Sequence, residues 1–431
     1  MNKLKLLFST LLLLLNSQAE EKNNIPNYDQ PSVVSIIGNH TSGFKLILNN
    51  QPHHIKGVGG QENLTKLASL GGNTIRTWGV DDDTFDILNN AHKNGISVTL
   101  GIWLEHERHG FDYKNKDFIN DQRTRVKETV QKYKNHPALL SWGLGNEMEG
   151  FEGNGDDKYI WEEVNYLSSI IKEIDSNHPV MTVIAGVNEH KIEAIKKYAP
   201  NIDILGINSY GGAPQVSEYL QSYKWKKPFV ITEFGLPGPW EVPHTSWNAP
   251  IEPTSREKMG HYYSSYQAIN ETGQCLGSYA FLWGNKQEAT SSWFGMLLDT
   301  GEKLPTADAI SRAWNGKWPN NRAPILKEVD VPFISKTVKK DKEFRVQVLY
   351  EDPDNDNLDY VWQIFKETND RKIGGDKENT PDEISGILIS SRSKGRAVIK
   401  TPNEKGAYRL FVTVRDGEGS AAVDNWPFYV D

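Results

Sequence analysis

Two stretches of this chain each run an apolar segment into a glutamate. In the first, the run over 138–144 leads through Gly145 and Asn146 to Glu147. In the second, the run over 228–232 leads to Glu233, Phe234 and Gly235. Each reads as a buried strand that delivers a carboxyl group at its C-terminal end. In a barrel of parallel strands, that end carries the chemistry. Two carboxyls in one cleft can supply the proton transfer and the nucleophilic attack that break a glycosidic bond. That requires environments that push their acidities apart. A single glutamate at such a place would read as a surface residue, so the inference rests on the pair.

The elements around the pair fit a barrel. From Ile55 the pattern alternates strand and helix. Strands are expected at 55–58, 73–78, 96–102, 138–144, 180–184, 202–208, 228–233 and 277–283. Helices are expected at 64–70, from a cap at Asp82-Asp83 to His92, and at 117–133, 159–174, 190–198, 216–223, 256–269 and 307–314. Eight strand–helix units in about 260 residues predict an α/β fold, a (β/α)8 TIM barrel over 55–318. Glu147 then ends strand four and Glu233 ends strand seven. Ahead of the barrel, 20–54 reads as a linker followed by a β-hairpin, placed to close the barrel bottom. After Trp318-Pro319 the helical period disappears. Strands at 344–350, 359–365, 386–389, 395–399, 408–415 and 421–430, with turn clusters between them, predict an immunoglobulin-like β-sandwich over 319–431. Its Trp362 and Trp426 read as core residues.

The 431 residues carry a net charge of -8 without long charge runs. Nucleic acid and anionic membranes want basic patches, so neither is an expected partner. A neutral substrate fits better, and a monomer is expected. The 13 Trp and 17 Tyr serve either as core or as platforms for the apolar faces of sugar rings. At the N-terminus, Lys3 and Lys5 precede an apolar run over 6–15 and a small-residue site at Ser17-Gln18-Ala19. That is a signal peptide, with cleavage expected after Ala19 and export to the periplasm or medium. The run is too short to span a bilayer. Cys275 has no partner for a disulfide and reads as a small core residue.

No cofactor or metal is implied. The run Glu105-His106-Glu107-Arg108-His109 offers ligand types but no metal-site spacing. The acidic turn Asp352–Asp356 lacks the glycine and terminal Glu of an EF-hand and reads as a solvated turn.

The region 30–318 resembles the clan A retaining glycoside hydrolases. The resemblance rests on Trp142 through Glu147 and on Thr232-Glu233-Phe234-Gly235. Lys56-Gly57-Val58, Gly72 through Trp78 and the stretch 91–100 are also similar to family 2 barrels and to β-1,3-glucan-active transglycosylases. With the C-terminal sandwich, the combination is similar to the family 158 endo-β-1,3-glucanases. The resemblance implies Glu147 as acid/base and Glu233 as nucleophile. It implies that Asn146 binds the sugar 2-hydroxyl, Arg76 holds the nucleophile ionised and oriented, Tyr210 hydrogen-bonds it, and Trp283 floors the adjacent subsite. Trp78, Trp103 and His106 are expected at the same face. Trp240, Trp247 and Trp293 lie in long loops that either shape the cleft or pack on themselves. The implied activity is retaining endo-hydrolysis of a laminarin-type β-1,3-glucan. A β-glucan transglycosylase, a hydrolase of mannan or galactan, and a non-catalytic glycan-binding protein are the alternatives.

Overall fold

A computed structural model describes residues 30–431, apart from 271, 272, 387, 393 and 394 and the side chains of 390–392. The signal peptide read over 1–19 lies outside the described residues. Eight parallel strands close into a barrel in chain order. They are Ile55–Gly59, Thr74–Arg76, Ser97–Ile102, Leu139–Leu144, Val180–Ala185, Ile204–Asn208, Phe229–Phe234 and Cys275–Ala280. The eighth pairs with the first, Ala280 beside Val58. A helix follows each strand, from Leu64–Ser69 to Pro305–Asn315.

Strands four and seven are buried at every position, as expected where helices cover one face of a sheet and the barrel interior the other. Val34 and Leu46 pack against Leu140, Met181, Val230 and Leu276. These four residues lie at the starts of barrel strands. The hairpin Val34–Asn39 and Gly43–Leu48 therefore seals the end opposite the strand tips. Ser32 adds a hydrogen bond from its Oγ to Leu139 O, 2.6 Å.

Two local expectations change. The helix Thr84–Lys93 is not capped by the Asp82 or Asp83 side chain; Asp81 Oδ1 accepts the amide of Asp83 at 3.1 Å and the Thr84 hydroxyl at 3.2 Å. Strand eight stops at Ala280, three residues short of Trp283. Beyond Ala280 the backbone still bonds its barrel neighbours, Phe281 N to Phe234 O at 2.9 Å and Trp283 N to Gly59 O at 2.7 Å, while Leu282 N between them donates to Phe294 O at 2.9 Å.

The C-terminal domain has two four-stranded sheets. One contains Ile325–Asp330, Glu343–Glu351, Arg396–Lys400 and Leu388–Arg392. The other contains Thr337–Val338, Ala421–Val430, Gly406–Arg415 and Asp359–Lys366. Val348, Ile364, Leu410, Val412 and Phe428 fill the space between them, with Trp362 and Trp426 also buried. Asp352 in the acidic turn is buried rather than solvated. Its Oδ1 accepts the amides of Asp354 and Asp356 at 2.9 and 3.1 Å, so the turn spends that carboxylate oxygen on its own backbone.

The sandwich is docked on the barrel through buried polar contacts. Asp424 accepts the Ser255 amide at 2.7 Å and the Ser255 hydroxyl at 2.6 Å, at the start of the helix after strand seven. Asn425 Nδ2 donates to Glu252 Oε2, 2.7 Å. Arg409 joins the domains: Nη2 reaches Pro250 O at 2.9 Å, and the guanidinium grips Glu367 at 3.0 and 3.1 Å. Arg409→Ala would leave the Glu367 carboxylate buried without its cation. We expect a loss of about 3–5 kcal/mol, read by denaturant unfolding. A Lys at 409 would recover only part of it, because one ammonium cannot make the forked contact.

Candidate active site

The tips of strands two, four, six and seven bring their polar residues to one place. Gly145, at φ 73°, and Glu147, at φ 55°, turn the chain sharply after strand four. A left-handed conformation is costly for a glutamate, and such strain gathers at functional positions. It is held here by two backbone bonds, Glu147 N to Val183 O at 2.9 Å and Gly150 N to Glu147 O at 3.0 Å.

Three donors converge on the Glu233 carboxylate. Arg76 Nη1 donates to Oε1 at 2.9 Å, Trp78 Nε1 to Oε1 at 3.0 Å, and the Tyr210 hydroxyl to Oε2 at 2.6 Å. Burial and the adjacent carboxylate hold the Tyr210 phenol well above its ordinary pKa, so it donates. Glu147 has a different setting. Its Oε1 accepts one hydrogen bond, from Asn208 Nδ2 at 2.7 Å. Burial first, and then the nearby charge of Glu233, push its carboxyl up to about 8. One carboxyl meets a cation and two further donors, and the other is kept protonated at neutral pH. That is the division of labour an acid and a nucleophile need.

A hydrogen-bond chain links the two. Asn146 Oδ1 accepts from Arg76 Nη2 at 2.6 Å and from Asn208 Nδ2 at 3.1 Å. The Asn146 amide oxygen is thus used twice. Thr232 Oγ1 donates to Asn208 Oδ1 at 2.8 Å, which fixes how the Asn208 amide is turned. Asn208 was visible in the sequence only as the end of strand six. Its position at a strand tip was the available signal.

A cavity of about 920 Å³ opens above these residues. Its lining includes Glu147, Glu233, Asn146, Asn208, Trp78, Trp103 and Tyr210. Residues 87–239 match the family model described as glycosyl hydrolases family 2, TIM barrel domain. Over those residues the barrel is similar to a glycosyl hydrolase family 2 TIM barrel. The chain is 24% identical over 216 residues to a β-galactosidase of Leuconostoc mesenteroides, covering 44% of this chain and 19% of that protein. It is 25% identical over 172 residues to a mannan endo-1,4-β-mannosidase F of Aspergillus clavatus, covering 34% of this chain and 37% of that protein. Among solved structures, Bacteroides uniformis β-glucuronidase 2 superposes with a TM-score of 0.51 at 14% identity, covering 92% of this chain and 48% of that one. This last likeness concerns the fold. The chain spans less than half the length of each of these relatives.

Within the barrel, two expected site residues are placed elsewhere. Trp283 does not floor the cleft. It is 1% exposed, and its Nε1 donates to Glu62 O at 2.5 Å. Phe281 and Leu282 line the cleft in its stead. His106 is also buried and stands behind the cleft wall, its ring stacked on Trp103 with centroids 4.9 Å apart. Of the loop tryptophans, Trp240 lines the cavity and is 61% exposed. Trp293 is buried, with Nε1 to Pro237 O at 3.2 Å. Trp247 packs on Tyr429 of the sandwich, centroids 5.7 Å apart.

Proposed function

We propose that this protein is an exported retaining glycoside hydrolase acting on a neutral β-linked polysaccharide, with β-1,3-glucan the first candidate. The observation that carries the reading is the asymmetric pair, Glu147 buried with one hydrogen bond, from Asn208, and its carboxyl pushed up by that burial, and Glu233 held by Arg76, Trp78 and Tyr210. In the first step a Glu233 oxygen attacks the anomeric carbon while Glu147 gives its proton to the departing glycosidic oxygen. The C–O bond breaks, and the sugar is left esterified to Glu233. In the second step Glu147, now a carboxylate, takes a proton from water as that water attacks the same carbon and Glu233 leaves.

The preference for a neutral sugar rests on charge. Glu233, Glu241, Glu288 and Asp376 all line the cavity. The lining lysines are both engaged, Lys286 with Glu288 at 3.0 Å and Lys372 with Asp370 at 2.5 Å. A uronate carboxylate would enter a field of like charge with those cations already paired. Aromatic residues, Trp78, Trp103, Tyr210 and Trp240 among them, suit the apolar faces of hexose rings. The β-1,3 linkage rests on the sequence resemblance. Mannan and galactan are the alternatives, favoured by the mannosidase and galactosidase relatives.

Product release from laminarin, curdlan, mixed-linkage glucan, mannan, galactan and xylan tests the reading. Oligosaccharides from laminarin and curdlan alone are expected. Release from mannan or galactan instead would keep the chemistry and replace the substrate. Cleavage of glucuronides in preference to all of these would overturn the charge argument.

A further inference from the structure

We propose that a loop of the sandwich domain is the second wall of the substrate cleft, and that Ile373 on it is a glycan-contacting, specificity-determining residue. The loop follows the strand Asp359–Lys366, and its residues Lys372 to Asp376 line the same cavity as Glu147 and Glu233. This inference rests on the glycosidase reading above and adds a sugar subsite to it.

The loop is tied to the rim at several points. Asp376 pairs with Arg108 Nη2 at 3.1 Å and with His109 Nε2 at 3.3 Å, both in the loop after strand three. Gly375 O accepts from Lys286 Nζ at 2.7 Å, after strand eight. Glu378, itself buried, accepts the Ala289 amide at 2.8 Å and the Lys372 amide at 3.1 Å. Anchors on the strand-three and strand-eight sides make the segment a bridge across the rim rather than a free arm. Gly374 fits only as glycine. It sits at φ 67°, and a Cβ there would come within 2.7 Å of the Phe151 ring, which lies after strand four.

Between these anchors, Ile373 is 67% exposed. A large aliphatic side chain displayed on a pinned loop, inside a cavity lined by aromatics, gains nothing from folding. It gains by covering the apolar face of a ligand. The ligand class that matches is a chain of neutral pyranose rings, extending from the scissile bond toward the sandwich. A single sugar beside the glutamates is expected to depend on this wall less than a chain that reaches it.

The test uses the full chain and two substrate sizes. Hexasaccharides of β-1,3-glucan, β-1,4-mannan and β-1,4-galactan are compared with 4-nitrophenyl β-glycosides of the same sugars. Ile373→Asp is expected to raise the hexasaccharide KM about tenfold with a much smaller change in kcat. The ratio of hexasaccharide to aryl-glycoside kcat/KM should fall by a similar factor. Asp376→Ala, which frees the wall from Arg108 and His109, should move the ratio the same way. An unchanged ratio in both variants would overturn the proposal while the wild-type turnover still supported the glycosidase reading. If the wild type cleaves no substrate, that reading fails by itself. The wall is then judged by tryptophan-fluorescence titration of the hexasaccharides. Binding about tenfold weaker in Ile373→Asp sustains it, and equal binding or none in the wild type ends it.

Discussion

Glu233→Gln abolishes turnover, with kcat/KM reduced by about 10,000-fold or more. That factor corresponds to about 5.5 kcal/mol of lost transition-state stabilisation. The amide has nearly the shape of the carboxyl but cannot form the ester to the anomeric carbon. Its NH2 group would also face one of the donors that now point at the site, since Arg76, Trp78 and Tyr210 all bring N–H or O–H groups. Binding of glycan should survive, because the aromatic lining is untouched. The measurement is steady-state hydrolysis beside a binding titration. Turnover within tenfold of wild type would remove Glu233 from the nucleophile role.

The second large effect concerns Glu147. Its carboxyl is pushed up to about 8 by burial and by the Glu233 charge. The glycosylation step needs it protonated. Activity should therefore hold on the acid side of that value and fall as pH rises through about 8. Glu147→Gln cannot give up a proton, so this alkaline limb should disappear along with most of the rate, a loss of about 100- to 10,000-fold. Glu147→Ala should lose less on an aryl glycoside with a good leaving group, because the first step then needs little acid. Azide added to that variant should restore turnover by attacking the glycosyl–Glu233 ester without base help, releasing a β-glycosyl azide. A pH–rate profile of kcat/KM and the azide product check the assignment together. An alkaline limb retained at the same pH in Glu147→Gln would assign it to another group.

The parts of this site that could be read from sequence are those fixed by strand periodicity. An apolar run with a polar residue just past its end places that residue at a strand tip. That places Glu147 and Glu233 at one end of the barrel, whereas the roles of Arg76, Asn146 and Tyr210 are implied by the resemblance. Trp283 is buried with its indole N–H on Glu62 O, a contact that an apolar run does not reveal. Past Ala280 the backbone still bonds Phe234 O and Gly59 O, and Leu282 N bonds Phe294 O. His106 and Trp103 lie three residues apart in one loop, and that spacing does not say that Trp103 faces the cavity while His106 stacks against it. Asn208 carries no sequence signal beyond its place at the end of strand six. The wall from the sandwich had no local signal at all. Its place depends on Arg409, Asp424 and Asp376 finding partners more than a hundred residues away in the barrel.

The central claim is that Glu233 carries the sugar between the two steps. Incubation with the 2-deoxy-2-fluoro β-glycosides of glucose, mannose and galactose, each with a good leaving group, slows breakdown of the ester so that it accumulates. Intact mass and peptide mapping then read the result. The account predicts one fluoroglycosyl group added per chain, on the peptide that contains Glu233, with no addition in Glu233→Gln. A label on a different residue, or hydrolysis of these glycosides to an inverted sugar with no label at all, would contradict it.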